Sequence, residues 1–195
     1  GVCEPYMMSR GNPYGIDSFP VNEALARAAL AVTNGAFCAY SFGWPGHQDT
    51  ALRVLETMHA LKPWLTRTEP VPYAALLFGE DSRQFYGLTD IWSRYLPNPL
   101  GVFRMAMEEH LPLTVITESD LRLETLAKYN VLILANTACL SDRQLDVIRD
   151  YVSGGGGLVA STDTSLFDEI GQPRHDFGLR DVFGVSYLGR PAAPE

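Results

Sequence analysis

Hydrophobic residues in this chain alternate between short continuous runs and segments with helical spacing. The continuous runs are typical of strands that are buried on both faces of a sheet. The intervening segments place apolar residues three or four positions apart, which predicts helices between the strands. The runs in the later part of the chain lie at residues 73–78, 113–116, 131–135 and 158–160.

Strands that alternate with helices require crossover connections, and such connections favour a parallel sheet. We therefore predict an α/β fold for residues 68–190, namely a flavodoxin-like, doubly wound parallel sheet. Pro70 and Pro72 lie in a segment without apolar periodicity. We place a domain boundary in that segment, so that the first domain spans residues 1–67.

The pattern of residues 1–67 predicts only a helix, a strand and a second helix. Asn22 is a candidate cap of the first helix, residues 36–40 form a short apolar run, and residues 50–65 have helical spacing. These elements are too few to enclose a core, which indicates the end of a larger α/β unit in a longer protein. On the inner side of the second helix we expect Leu52, Leu55, Met58, His59 and Leu61.

Local signals predict how the helices of the second domain begin and end. Ser141 and Gln144 have the spacing of a capping box. Ser119 is predicted to cap a short helical turn at residues 121–127. The four glycines at 154–157 come after a helix and before a strand. Phosphate-binding glycines have the reverse order, so we interpret these as the end of a helix.

The composition excludes several classes of protein. The chain has 195 residues, of which 46% are hydrophobic, and its 15 basic and 23 acidic residues give a net charge of −8. Because Lys and Arg are not clustered, we expect no nucleic-acid partner. No apolar run reaches the roughly 18–20 residues of a membrane-spanning helix, so we expect no membrane partner. Without a dinucleotide fingerprint or a cluster of histidines, we expect neither a cofactor nor a metal.

The three cysteines, Cys3, Cys38 and Cys139, are widely spaced and include no C-x-x-C pair. An odd number at this spacing argues against a disulfide framework and against a zinc site. We expect buried free thiols, and therefore a reducing compartment, the cytoplasm.

A doubly wound domain can also hold a catalytic cysteine, as in the class I glutamine amidotransferases. Such a nucleophile needs a sharp turn after a strand, and the turn after the fourth predicted strand, residues 160–165, contains no cysteine. Cys139 follows the third strand instead, and His175 is the only histidine after it. A Cys139–His175 dyad is conceivable, but single residues of these types in loops are more often structural.

A second group of candidates lies in the first domain. Glu4 follows two apolar residues, and a carboxylate at the carboxyl end of a strand is the usual catalytic group of (β/α)8 barrels. Trp44 and His47 follow the next predicted strand, so we expect them at the same edge. Trp44 offers a ring that can stack on a sugar, and His47 can hydrogen-bond to hydroxyls. The alternative for Glu4 is a solvated surface residue.

Several segments of the second domain resemble a known family when they are taken together. They are residues 68–78 with 82–87, residues 129–134 with 140–141 and 144, and residues 151–152 and 155–160 with 164–169 and 176–179. This set resembles the beta-galactosidase trimerisation domain, an amidotransferase-like fold without the amidotransferase nucleophile.

The resemblance implies a wider arrangement. In that family the domain follows the (β/α)8 catalytic barrel of family 42 beta-galactosidases and related hydrolases. Residues 1–67 then resemble the end of the barrel, and residues 2–4 are similar to the segment with the catalytic nucleophile, which would be Glu4. The resemblance also implies a carbohydrate substrate and a homo-oligomer, a trimer, in which this domain helps to wall the active site of a neighbouring subunit.

The resemblance leads to an expectation about catalytic activity, and the fold leaves one alternative function. Retaining glycosidases need a second carboxylate about 5–5.5 Å from the first, and that group would lie on an earlier barrel strand. We therefore expect no hydrolase activity from these 195 residues alone. The alternative function is a stand-alone binding module, whose ligand would lie near residues 79–81 and 136–137, where the strand order of the sheet reverses.

Overall fold

The computed structural model describes residues 6–7, 21–33, 36, 39–40, 48–65, 67–69 and 71–189. The chain divides into two compact units, Gly1–Pro70 and Val71–Glu195. Each unit has a hydrophobic cluster of its own.

The first unit alternates strands with helices. Its elements are β1 (Tyr6–Met7), α1 (Val21–Thr33), β2 (Ala39–Tyr40) and α2 (Gln48–Leu65). β1 and β2 pair in parallel, with Tyr6 opposite Ala39. Because consecutive parallel strands need a crossover connection, α1 forms the crossover of a small βαβ arrangement.

The two helices of this unit pack through small side chains. Ala24 and Ala28 of α1 are fully buried and form a cluster with Val54 of α2. Ala51 is also fully buried, and Met58 packs against the cluster. Alanines on the buried faces allow a close approach of two helix backbones.

Most of the residues that we predict on the buried side of α2 are exposed in the structure. Leu52 and Leu55 are 57% and 45% exposed, and His59 and Leu61 are exposed as well. Helical spacing predicts an apolar stripe but does not say which part of the stripe a neighbouring helix covers. Here α1 covers the stripe on the side of Ala51 and Val54, which leaves the larger leucines without cover from the described residues of this unit.

The second unit is built on a four-stranded parallel sheet. Its strands are β3 (Ala74–Leu77), β4 (Leu113–Ile116), β5 (Val131–Ala135) and β6 (Gly157–Ser161). They lie in the order β4-β3-β5-β6, and every pair is parallel. All four residues of β3 are buried, as its continuous apolar run predicts for a central strand.

Helical segments connect the strands. They are a π-helical turn (Ser82–Tyr86), a 3-10 turn (Leu88–Asp90), α3 (Ile91–Arg94), α4 (Pro97–Glu108), a second 3-10 turn (Glu118–Asp120), α5 (Leu123–Leu126), α6 (Asp142–Ser153) and α7 (Arg180–Phe183). None of the described helices combines the length and the apolar character needed to cross a membrane.

The helices cover both faces of the sheet. Residues of α5, α6 and α7 form one core cluster with Ala75 and Leu77 of β3 and Leu132 and Leu134 of β5. α4 also contacts β5, and no residue of α4 belongs to that cluster. The connection from β3 to β4 runs towards one edge of the sheet, and the connections to β5 and β6 run towards the other edge. Because each connection is right-handed, helices of the two directions lie on opposite faces. The predicted doubly wound parallel fold is confirmed.

In the second unit the helix ends agree with the predictions in two of three cases. In the first unit Asn22 is not the cap, because α1 begins at Val21. The Ser141 amide donates to Gln144 Oε1 at 2.7 Å, which confirms the capping box. Gly154 caps the end of α6, as predicted, Gly155 has a φ of +97°, and Gly157 already begins β6. Ser119 is not a cap, because it lies inside the 3-10 turn Glu118–Asp120, and α5 begins later than predicted, at Leu123 after Arg122. At the start of that 3-10 turn, the Thr117 amide donates to Asp120 Oδ2 at 3.0 Å.

Candidate functional site

The three site residues that the sequence favours lie outside the described residues. These are Glu4, Trp44 and His47. Along the sequence, Trp44 and His47 come after β2, whereas Glu4 comes before the described residues of β1. Residues that follow parallel strands collect at the carboxyl edge of a sheet, so Trp44 and His47 stay candidates for that edge.

The second unit has one place where its fold favours a ligand. From β3 the chain passes outward to β4 and then returns to β5 on the other side, so the strand order reverses between β3 and β5. In open α/β sheets, ligands bind in the crevice beyond the carboxyl ends of two such strands. Here the crevice lies between Gly79, after β3, and Asn136, after β5.

The side chain of Tyr95 fills this crevice from within the protein. Tyr95 is fully buried, and its hydroxyl accepts a hydrogen bond of 2.6 Å from the Gly79 amide. Its ring packs edge to face on Phe78, with centroids 5.7 Å apart. Burial raises the pKa of the Tyr95 phenol, so the hydroxyl stays neutral. The Gly79 amide is therefore not available to a ligand.

Gly79 is also closely surrounded by other atoms. A Cβ at this position would lie 3.0 Å from Ser82 Oγ and 3.1 Å from Thr137 Cγ2. The same Ser82 hydroxyl accepts a hydrogen bond of 2.9 Å from the Cys139 amide. The crevice is thus occupied by protein atoms that bond to one another.

Asn136 joins three segments at the end of β5. Its side chain donates to the Arg94 carbonyl at 2.8 Å and accepts from the Asp163 amide at 3.2 Å. The backbone amide of Asn136 donates to Ser161 Oγ at 3.2 Å. Asn136 has a φ of +57°, a conformation that asparagine tolerates better than most residues. These bonds give Asn136 a structural role.

A second set of contacts lies beside Asn136. The Tyr86 hydroxyl donates to Asp163 Oδ2 at 2.7 Å, and the Arg94 guanidinium lies 4.5 Å from the centroid of the Tyr86 ring. Tyr86 also packs on Phe167, with centroids 5.3 Å apart. These contacts fix the turn after β3 to the loop after β6.

The thiol that the sequence offers as a nucleophile is unsuited to that role. Cys139 is a free cysteine and is 1% exposed, as expected for a buried thiol. Burial, followed by the charge of Asp81, raises the pKa of the thiol to about 12. A thiol of this kind stays protonated at neutral pH and is inert. His175 is exposed, so it does not share the environment of Cys139.

The turn after β6 has the sharp backbone of a nucleophile turn but different chemistry. Thr162 has a φ of +52°, which is rare for a β-branched residue. The nearby hydroxyls are used in structural bonds: Thr164 Oγ1 donates to the Leu134 carbonyl at 3.1 Å, and Ser165 Oγ accepts from the Leu179 amide at 3.2 Å. The residues after Thr162 form a turn and not a helix.

Three carboxylates near the crevice differ in their electrostatics. Burial raises the pKa of Asp81 and of Glu118, and Glu118 Oε1 accepts a hydrogen bond of 3.1 Å from the Asp81 amide. The Arg83 guanidinium and the Gln84 amide lower the pKa of Glu80 to about 2. Asp81, the helical residue directly before the π-helical turn, makes no side-chain cap bond. Among the residues that the structure describes, no group of three His, Cys, Asp or Glu could hold a metal ion.

Sequence reasoning identified the crevice but missed the residue that fills it. Tyr95 is one aromatic residue among several in the connection after β3. Its distance of 16 positions from Gly79 gives no local signal.

The fold of the two units is similar to that of several solved glycoside hydrolases. A beta-galactosidase from Rahnella sp. R3 matches with a TM-score of 0.63 and 18% identity over 89% of this chain and 29% of that chain. A catalytic mutant of Gan42B, a GH42 beta-galactosidase from G. stearothermophilus, matches with a TM-score of 0.61 and 19% identity over 84% of this chain and 27% of that one. A GH42 exo-carrageenase from Bacteroides ovatus matches with a TM-score of 0.62 and 14% identity over 89% of this chain and 26% of that chain.

These matches define the class of fold, a parallel α/β sheet domain together with a preceding α/β segment. A match over 84% of the chain is longer than the second unit, so it includes residues of the first. The chain spans 26% to 29% of the length of these three proteins. No family model matches the sequence, and no curated protein matches it.

Proposed function

We propose that this chain is part of a glycoside hydrolase of the GH42 beta-galactosidase type, with a noncatalytic second domain that mediates assembly. The observation that supports the proposal is the fold match to two GH42 proteins and to the beta-galactosidase from Rahnella sp. R3, which includes residues of both units. In this proposal residues 1–67 end a (β/α)8 barrel, and residues 68–190 form the trimerisation-like domain.

The first unit has the features of an incomplete barrel. β1 and β2 are parallel and are joined by α1, which is the repeating arrangement of a (β/α)8 barrel. On α2, Leu52 is 57% and Trp64 is 79% exposed. Exposed apolar side chains on one helix indicate a surface that other elements cover. The missing elements would be the earlier strands and helices of the barrel.

The proposed chemistry of the first unit involves Glu4, Trp44 and His47. Glu4 is proposed as the nucleophile, and Trp44 and His47 as residues that bind a carbohydrate substrate. The acid/base carboxylate would belong to an earlier strand, since retaining glycosidases need two carboxyl groups about 5–5.5 Å apart.

The second unit supports an assembly role more than a binding role. The alternative of a ligand-binding module needs an accessible crevice after β3 and β5. There the buried Tyr95 hydroxyl already accepts the hydrogen bond of the Gly79 amide. By contrast, Leu88 and Trp92 are 63% and 75% exposed in the connection after β3. Tryptophan is enriched at the centres of protein interfaces. The proposed assembly is a homotrimer, and the proposed location is the cytoplasm, where the free thiol of Cys139 is stable.

One experiment tests the hydrolase proposal. The natural longer polypeptide and the 195-residue chain are compared for release of nitrophenol from nitrophenyl galactosides. We expect turnover only from the longer polypeptide, and a loss of at least about a thousandfold in kcat for Glu4→Gln, because the nucleophile is essential. Asp49→Asn, at the start of α2, is the matched control. Equal activity of Glu4→Gln and the unmodified protein would overturn the role of Glu4.

Light scattering on the same longer polypeptide tests the assembly role. A mass of three subunits is expected. A strict monomer at all concentrations would contradict the assembly role without affecting the hydrolase proposal.

A further inference from the structure

The chain after α7 folds back onto the loop that precedes this helix. α7 ends at Phe183, and Gly184 follows it with a φ of +68°, in the left-handed region. Glycine adopts this conformation without strain, and the chain turns sharply there at the end of the helix. Residues 185–187, which we call the strap, contact Asp176 and Phe177 of the preceding loop.

The carboxylate of Asp176 holds the strap. Asp176 Oδ1 accepts a hydrogen bond of 2.7 Å from the Tyr187 amide and one of 2.8 Å from the Phe177 amide. The Ser186 hydroxyl also bonds to this carboxylate, and Arg180 Nε lies 3.4 Å from Asp176 Oδ2. The bond from the Tyr187 amide is the main cause that lowers the pKa of Asp176. The strap is therefore bonded to a charged acceptor, which forms stronger hydrogen bonds than a neutral one.

Aromatic contacts connect the strap to α7. The Phe177 ring packs on Phe183 of α7 and on Tyr187 of the strap, with centroids 5.7 Å apart in both pairs. The interplanar angles of 75° and 73° give both pairs the edge-to-face geometry that aromatic rings favour. Because Phe177 contacts both partners, the closed strap and the end of α7 share one small aromatic cluster.

The strap forms part of the wall of a groove beside β6. The groove has a volume of about 500 Å3 and is lined by apolar residues of β6 and α7 and by hydroxyl-bearing residues of the turn after β6. Phe177 and Val185 complete its lining. Val185 belongs to the strap, and Phe177 belongs to the loop to which the strap is bonded. One side of the groove therefore depends on the position of the strap.

Solvent exposure indicates that the strap opens easily. Val185 is 57% exposed and Ser186 is exposed, whereas Tyr187 is half-buried. Leu188, which follows the strap, is 97% exposed. A segment with few buried apolar contacts opens at a low cost in free energy. The bonds to Asp176 and the packing of the Tyr187 ring thus decide whether the strap is closed.

We propose that residues 185–187 are a hinged strap that controls access to the groove beside β6, with Gly184 as the hinge and the Asp176 carboxylate as the latch. While the Tyr187 amide is bonded to Asp176, Val185 stays in the wall of the groove. When that bond is broken, the strap turns about Gly184 and uncovers the apolar side chains of β6 and α7. The inference depends on the geometry of the second unit and is independent of the hydrolase proposal.

Hydrogen exchange in the 195-residue chain, followed amide by amide by NMR, tests the latch. In Asp176→Ala we expect the Tyr187 amide to exchange at least about tenfold faster, because it loses its acceptor. The amides of β5 should keep their exchange rates. Unchanged exchange at Tyr187 overturns the proposal. An equal acceleration in β5 also overturns it, because it would show a loosened unit and not an opened strap.

Asp150→Ala is the matched control, since it removes an exposed carboxylate of α6 that is not part of the strap or its loop. We expect this variant to leave the exchange of the Tyr187 amide unchanged. If it accelerates that exchange as much as Asp176→Ala does, loss of charge and not loss of the latch is the cause, and the proposal is wrong.

A fluorescent naphthalene sulfonate dye, which brightens on exposed apolar surface, tests the control of the groove. We expect the dye fluorescence with Asp176→Ala to be at least about twofold higher than with Asp150→Ala, because the open strap uncovers the groove. Equal fluorescence with the two variants would show that the strap does not control access to the groove, and would overturn the proposal.

Discussion

The hydroxyl of Tyr95 accepts a hydrogen bond of 2.6 Å from the backbone amide of Gly79. The bond closes the crevice where a doubly wound sheet most often binds a ligand. Tyr95→Phe keeps the ring and removes the acceptor, so the buried Gly79 amide loses its partner. We expect a loss of about 1–3 kcal/mol in the free energy of unfolding of the second unit, measured by urea titration.

Tyr73→Phe is the control for this prediction, because Tyr73 is 45% exposed. It should change the free energy by less than about 0.5 kcal/mol. If Tyr95→Phe is as stable as the control, the hydrogen bond is not what holds the crevice closed.

Glycine is required at position 156 and is dispensable at position 101. A Cβ on Gly156 would lie 2.3 Å from the ring of Tyr151, a buried residue of the core. A Cβ on Gly101, inside α4, would meet no atom within 4 Å. We expect overpacking in Gly156→Ala to lower the free energy of unfolding by about 1–3 kcal/mol, seen as a lower melting temperature. Gly101→Ala should raise stability by about 0.5–1 kcal/mol, since alanine favours the helix. Equal effects of the two substitutions would contradict this account.

The burial of Cys139 predicts a thiol that does not react in the folded protein. A variant with Cys3→Ser and Cys38→Ser has Cys139 as its single thiol, which a chromogenic disulfide reagent can follow. A pKa of about 12 lowers the thiolate fraction at pH 7 by about a thousandfold relative to a free thiol. We expect labelling only after unfolding in guanidinium. Labelling of the native protein within minutes would revive the thiol as a candidate nucleophile.

The buried carboxylates predict a dependence of stability on pH. Burial raises the pKa of Glu118, so the folded state binds its proton more tightly than the unfolded state. Stability from this group is therefore full below the ordinary pKa of 4.5 and decreases as the pH rises through the raised value. Glu118→Gln keeps an acceptor for the Asp81 amide and removes the charge. We expect the variant to melt about 1–3 °C higher at pH 7, with the difference disappearing towards pH 4.

The exposed Glu124 of α5 gives the comparison for Glu118. Glu124→Gln should leave the pH profile of the melting temperature unchanged, because that side chain is exposed to solvent. A Glu118→Gln variant that melts at a lower temperature than the unmodified protein at pH 7 would show that the Glu118 charge stabilises the fold, contrary to this prediction. Glu80 acts in the opposite direction, since its pKa of about 2 means that its stabilising charge is lost only as the pH falls below 4.5.

The sequence by itself determined the features that depend on neighbours in the chain. The capping box of Ser141 and Gln144 joins residues three positions apart. The strands of the second unit coincide with the apolar runs, and β4 and β5 have the bounds that those runs predict. The alternation of strands and helices was sufficient for the parallel fold, because crossover connections allow few other arrangements.

The tertiary structure decided which of several apolar or polar groups meet. Helical spacing on α2 is compatible with Leu52 or with Ala51 at the buried face, and the packing of α1 selects Ala51. Tyr95 reaches Gly79 across 16 positions, and Asn136 bonds to Asp163 across 27. Such contacts depend on the strand order and on the space between elements. Local pattern determines where strands and helices form, while distant packing determines whether a crevice is open or filled.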